Sequence, residues 1–183
     1  MENTVLIRKE ELPMGLMLLH TERFKDSRGF FIESFNRDDI KKIGIKEEFI
    51  LDCISSSHFG VIRGLHFQRY KPQSKLLRVL TGCILDVAVD IRKESPSFLK
   101  YFSVELNGDD DTLLYIPKGF AHGFLALSEP AVVLYKADGY YDPKDESGII
   151  WNDRQLGINW KLRENNIQHP VLSERDKKLK PLP

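Results

Sequence analysis

Apolar residues along this chain come in short runs broken by glycine, proline, asparagine or aspartate, and almost none recurs at helical spacing. The clearest run, 84–91, alternates Asp86, Ala88 and Asp90 with Val87, Val89 and Ile91. That period of two belongs to a strand. Runs at 76–80 and 84–91 flank Thr81-Gly82, and runs at 101–106 and 112–116 flank Asn107-Gly108-Asp109. With 124–127 and 131–137, these pairs predict three hairpins, and 117–123 reads as a loop. Upstream, 49–57 and the stretch from Gly60 onward read as strands. Residues 5–7 and 16–19, around Pro13 and Gly15, read as two short strands or an arm joined by a turn. Asp26-Ser27-Arg28-Gly29 is a turn, and the strand 30–35 follows it, with Phe31 and Glu33 on one face and Phe30 and Ile32 on the other. Asn36 caps a short helix, 37–43, which carries Asp39 in its first turn and stops at Gly44. The segment 140–153 is rich in turns. The tail, 159–183, is polar with few apolar anchors: Trp160, Ile167, Val171 and Leu172. Many short strands with one helix predict an all-β sandwich or barrel. No repeat or linker divides the chain, so one domain over 1–183 is expected.

Composition narrows the classes. Apolar residues are 42% and charged residues 30%, the balance of a soluble globular protein. Lys plus Arg and Asp plus Glu each number 27. Zero net charge argues against a nucleic-acid partner, which needs a basic excess, but permits a local anion pocket. No apolar run approaches the roughly 20 residues of a membrane span. The first eleven residues are charged and lack a signal-peptide apolar segment. Cys53 and Cys83 form neither a disulfide framework nor a zinc pattern, so reduced thiols and a cytoplasmic location are expected.

Candidate chemistry gathers in Gly60-Val61-Ile62-Arg63-Gly64-Leu65-His66-Phe67-Gln68, followed by Gln73 and Lys75. Arg63 and Lys75 suit an anionic substrate, the first as a bidentate fork and the second as a point charge. His66 suits proton transfer near neutral pH, and equally a satisfied histidine in a half-buried strand. Gly64 lets the backbone bend or approach a ligand. A second cluster, Ile116-Pro117-Lys118-Gly119-Phe120-Ala121-His122-Gly123-Phe124, has a Pro-x-Gly-x-x-His spacing that resembles the second motif of cupins. Metal-binding cupins pair this motif with a His-x-His, and here His66 stands alone. Two histidines are too few for a transition-metal site, so no metal is expected, and acid–base or oxyanion chemistry is the better use of them.

The blocks together resemble the dTDP-4-dehydrorhamnose 3,5-epimerases. They are Asp26-Ser27-Arg28-Gly29-Phe30-Phe31-Ile32-Glu33, the two clusters above, Asp86-Val87-Ala88-Val89-Asp90, Tyr135-Lys136, Tyr140-Tyr141, Trp151-Asn152-Asp153 and 172–176, in family order. The resemblance implies a cupin-like double-stranded β-helix, or jelly-roll barrel, with N-terminal strands and a short helix. It implies proton abstraction and return at C3 and C5 of a nucleotide-linked 4-keto-6-deoxy sugar, with no cofactor. His66 matches the family's base and Tyr135 its acid, and Asp176 matches the carboxylate that orients the histidine, with Asp86 as second candidate. Lys75 and His122 match groups near the sugar and are assigned to the enolate. Arg63 matches a diphosphate contact, and Glu146 another substrate contact. Arg28, Phe30 and Glu33 match an arm that reaches the neighbouring subunit's nucleotide, which implies a homodimer. Leu51 and Cys53 stand where the family usually has Gln and Asn touching ligand, and Arg175, also matched to a substrate contact, stands where Lys is usual. Rival readings are epimerisation of one carbon, another keto sugar or nucleotide, and a binding protein without catalysis. Retention of both His66 and Tyr135 speaks against the last.

Overall fold

The computed structural model describes residues 7–182. Of the strand expected at 5–7, Val5 and Leu6 lie outside the described residues. The strands are β1 (Ile7–Glu11), β2 (Met17–Thr21), β3 (Arg23–Asp26), β4 (Gly29–Ile32), β5 (Leu51–Ser57), β6 (Ile62–Gln68), β7 (Lys75–Thr81), β8 (Cys83–Asp90), β9 (Tyr101–Asn107), β10 (Thr112–Ile116), β11 (Phe120–Ala126), β12 (Ala131–Ala137) and β13 (Glu146–Gly148). The helix α1 spans Arg37–Lys42, and 3₁₀ turns lie at Pro13–Gly15 and Asp176–Lys178. The Asn36 side chain caps α1 by accepting the Asp38 and Asp39 amides at 2.9 and 3.3 Å.

Two sheets form a cupin-like jelly roll. One has the order β1-β2-β10-β7-β12-β5 and the other β13-β6-β11-β8-β9. The core holds Leu77, Val79, Leu114 and Val133 from the first sheet with Ile84, Ala88, Phe120 and Phe124 from the second. A second cluster sets Ile62, Leu65, Val87 and Leu125 against Trp160 and Ile167, so the polar tail is pinned by a few buried anchors. A third sets Ile40 and Ile45 against Leu76, Leu113 and Tyr115.

None of the three expected hairpins exists as a pair. β7 and β8, β9 and β10, and β11 and β12 each belong to different sheets. The turn signals are real, but each marks a corner where the chain crosses between sheets. Gly82 shows why: at φ 78°, a Cβ there would lie 2.1 Å from Ser128 Oγ and 2.3 Å from the Pro130 carbonyl. Two corners are packed on each other, and only glycine fits between them. The expected loop 117–123 is also corrected, because β11 begins at Phe120 and is buried along its whole length. Gly119 and Gly123 read as breakers but serve close packing. The strand expected at 30–35 is shorter, and it pairs with the unforeseen β3, a charged strand without alternation.

Candidate active site

β6 and β11 run side by side with His66 directly opposite His122, and the register shifts between His122 and Phe124. At that point the backbones nearly touch. A Cβ on Gly64 would lie 2.5 Å from Gly123 Cα and 2.7 Å from the His122 carbonyl, and one on Gly123 would lie 2.5 Å from the Arg63 carbonyl. Gly64 therefore permits close approach, but to the neighbouring strand, not to a ligand. A cavity of about 1370 Å³ opens beside the pair, and its lining includes Arg63, His66, Lys75, His122, Tyr135 and Glu146.

Each histidine is backed by a carboxylate. His66 Nε2 lies 2.6 Å from Asp176 Oδ1, and Asp176 is buried. Burial acts to raise the Asp176 pKa, but His66, Ser173 and the Gly64 backbone hold the carboxyl below its ordinary value. An ionised carboxylate accepts the Nε2 proton, which leaves Nδ1 as the ring's basic nitrogen. His122 Nε2 lies 2.8 Å from Asp86 Oδ2, and its Nδ1 lies 3.4 Å from Lys75 Nζ. Asp86 thus stands behind His122 and not behind His66, and the signal for it was its place among the alternating residues of β8. Burial depresses the His122 pKa, opposed by Asp86 and aided by Lys75. Burial also brings Lys75 down to about 8, against the pull of Asp86 and Glu146.

Tyr135, on β12, faces Cys53 across the ladder with β5. Burial first, and then the Cys53 thiol, push its hydroxyl up to about 12, so it holds its proton at neutral pH. Leu51, Cys53 and Ser55 share one face of β5 and line the cavity. Arg63 is held by Ser57 Oγ at 2.9 Å and the Ser56 carbonyl at 3.0 Å. At the rim, Arg175 pairs with Glu146, and the Tyr141 hydroxyl donates to the same carboxylate. Tyr141 lay in the turn-rich segment and carried no expected role. Among the described residues, no group of three or more His, Cys, Asp or Glu side chains gathers as a metal site.

Three expected residues do not reach this cavity. Arg28 is bound to Asp26 on the β3–β4 turn, Phe30 is 62% exposed beneath the Arg23 guanidinium, and Glu33 accepts from Asn36 at 2.9 Å.

The jelly roll and its two carboxylate-backed histidines define a cupin-like protein whose cavity gathers groups able to exchange protons. The family model of dTDP-4-dehydrorhamnose 3,5-epimerase matches residues 11–183. The Salmonella typhimurium dTDP-4-dehydrorhamnose 3,5-epimerase is 45% identical over 174 residues, covering 94% of this chain and 92% of that one. The crystal structure of the Legionella pneumophila dTDP-6-deoxy-D-glucose-3,5-epimerase, in complex with dTDP-4-keto-L-rhamnose, superposes with a TM-score of 0.90 at 40% identity, covering 96% and 92% of the two chains. A 3'-monoepimerase from Streptomyces bikiniensis, in complex with dTDP-quinovose, superposes with a TM-score of 0.85 at 27% identity, covering 94% and 86%. The chain belongs to the dTDP-4-dehydrorhamnose 3,5-epimerase family and is an isomerase.

Proposed function

We propose that the protein converts dTDP-4-dehydro-6-deoxy-D-glucose to dTDP-4-dehydro-L-rhamnose, with His66 as base and Tyr135 as acid. The observation that carries these roles is the lining of one cavity by an Asp176-backed imidazole and a protonated phenol. The C4 ketone acidifies the hydrogens on C3 and C5. His66 takes each proton in turn, and the C–H electron pair becomes an enolate whose charge rests on the C4 oxygen. Tyr135 returns a proton to the opposite face, and solvent then reprotonates the phenolate and takes the proton from His66, which frees the imidazole for the second carbon. Lys75 and His122 sit together to meet the enolate oxygen, and Arg63 meets the diphosphate. One domain carries the whole reaction.

Incubation with this substrate in deuterated water tests the reading, with mass spectrometry locating the label. Inverted product carrying deuterium at both C3 and C5 is expected, and no label would remove the proposal. Label and inversion at one carbon would favour the second reading, single-carbon epimerisation, which the monoepimerase likeness keeps in view.

Lys75 sets the alkaline side of the pH profile. Its pKa of about 8 is below the ordinary lysine value, so the site loses its cation as pH rises through 8. Turnover should fall above that pH by about tenfold per unit. Lys75→Gln should be slower at neutral pH and should lack this limb. A rise in KM alone would make Lys75 a ground-state contact.

The exposed β3–β4 hairpin supports a homodimer in which Arg28, Phe30 and Glu33 work in the partner's cavity, because Phe24, Phe30 and Phe31 are left in solvent here. Mixing Arg28→Ala and His66→Asn proteins should then restore activity, since one mixed site carries both native residues. No recovery after demonstrated subunit exchange would count against the shared site. The free thiols of Cys53 and Cys83 suit a reducing, cytoplasmic setting.

A further inference from the structure

We propose that Tyr141, Glu146 and Arg175 form a positioning clamp that holds Asp176 against His66. It goes beyond reading Glu146 and Arg175 as substrate contacts. The geometry closes a ring. His66 on β6 pairs with Gly148 of β13, and Glu146 lies two residues along the same short strand, opposite Gln68. Glu146 binds Arg175, the next residue along the chain is Asp176, and Asp176 returns to His66 Nε2 at 2.6 Å.

The ring matters because of how the C-terminal segment is tethered. Val171 is tied to Gly60 and Ile62 by hydrogen bonds of 2.9 Å, and the Lys180 carbonyl accepts from Ile150 at 3.1 Å. Between those ties the backbone bonds of the Asp176–Lys178 turn are internal to the segment: Lys177 to Ser173, Lys178 to Arg175 and Leu179 to Asp176. They shape the turn; its direct ties to the sheet include the Asp176 carboxylate, held by His66 and the Gly64 backbone, and Leu179, packed on Gly148. Ser173 Oγ, which accepts the Asp176 amide at 3.0 Å, is likewise within the segment. The Arg175–Glu146 pair is a polar tie from this turn to the body of the sheet. The Glu146 side chain is only 8% exposed and that of Arg175 is 51% exposed, so the carboxylate end of the pair is fixed in the protein while the guanidinium end reaches solvent. Tyr141 shares it from both sides, donating to Glu146 and accepting from Arg175 Nη1 at 3.2 Å. A guanidinium can serve both partners at once through its fixed fork of donors. A mobile turn would let the carboxylate drift, and a base oriented to within tenths of an ångström would lose that orientation.

The test reads the ligand-free protein first. Imidazole protons hydrogen-bonded to carboxylates give far-downfield proton NMR signals, and His66→Asn assigns the signal of the His66–Asp176 pair. The His122–Asp86 pair lies outside the ring and is the internal control. In Arg175→Met and Glu146→Gln, the His66 signal should broaden or vanish while the His122 signal stays. Arg175→Lys should restore part of it. Turnover should fall about tenfold in the first two variants, the size typical of losing a group that orients a working residue, with a smaller change in KM. An unchanged His66 signal would overturn the clamp, whatever happened to KM. So would loss of both signals together, which would mean general loosening. The kinetic arm rests on His66 being the base and the spectroscopic arm does not, so the two ideas fail separately.

Discussion

Replacing His66 with Asn lowers the rate of deuterium exchange at both C3 and C5 by about 10²–10⁴-fold, the usual worth of a general base. The expectation follows from how the ring is held. Asp176 fixes the imidazole through Nε2, and no second histidine is equivalent, because the Nε2 of His122 is committed to Asp86 and its Nδ1 to Lys75. Asparagine keeps a polar side chain in the cavity but cannot accept a proton at neutral pH. The substitution also removes a donor from Asp176, which is buried, so some stability goes with it. A thermal melt recorded beside the exchange assay separates unfolded protein from lost chemistry. Exchange at the native rate in a folded variant would take His66 out of the mechanism.

Replacing Tyr135 with Phe should separate the removal of a proton from its return. Inversion requires that the proton leave one face of the sugar and another arrive on the opposite face. One imidazole cannot serve both faces of a bound ring. Tyr135 packs against the main core, and Phe keeps that packing while deleting only the hydroxyl. His66 would still take a proton, exchange it with solvent and return it to the same face. Recovered substrate should therefore carry deuterium while inverted product falls steeply. Equal loss of exchange and inversion would show that Tyr135 acts on binding or on the enolate.

The all-β class, the helix α1 with its Asn36 cap, and most strand positions were legible because period and turn chemistry are local. Pairing was not. Thr81-Gly82 signals a reversal whether the chain pairs back on itself or crosses to the other sheet, and the choice rests on which distant strands lie beside β7, namely β10 and β12. β11 was half missed because Gly119 and Gly123 look like breakers, although Gly123 is there for contact with Gly64. At the site, residue chemistry singled out His66 and Lys75, the cupin-like spacing added His122 and the family resemblance added Tyr135, and the cavity gathers all four. Composition and spacing could not have found Tyr135 in its apolar strand. Nor could they have told that Asp86 belongs to His122 and Asp176 to His66, because each pairing joins residues far apart in the chain.

The Gly64–Gly123 contact divides the cavity for anyone who would re-engineer it. Backbone against backbone sets the spacing of β6 and β11, so no side chain can be enlarged there without moving the histidines. β5 sits at the edge of the other sheet, with β12 as its one neighbour, and shows Leu51, Cys53 and Ser55 to the cavity. A library confined to Leu51 and Ser55, with Cys53 kept because it faces Tyr135, would vary the shape and polarity offered to the ligand while the histidines stay where the glycines lock them. Altered substrate range should be reached through β5 with little loss of turnover, and variation at Gly64 or Gly123 should yield inactive clones.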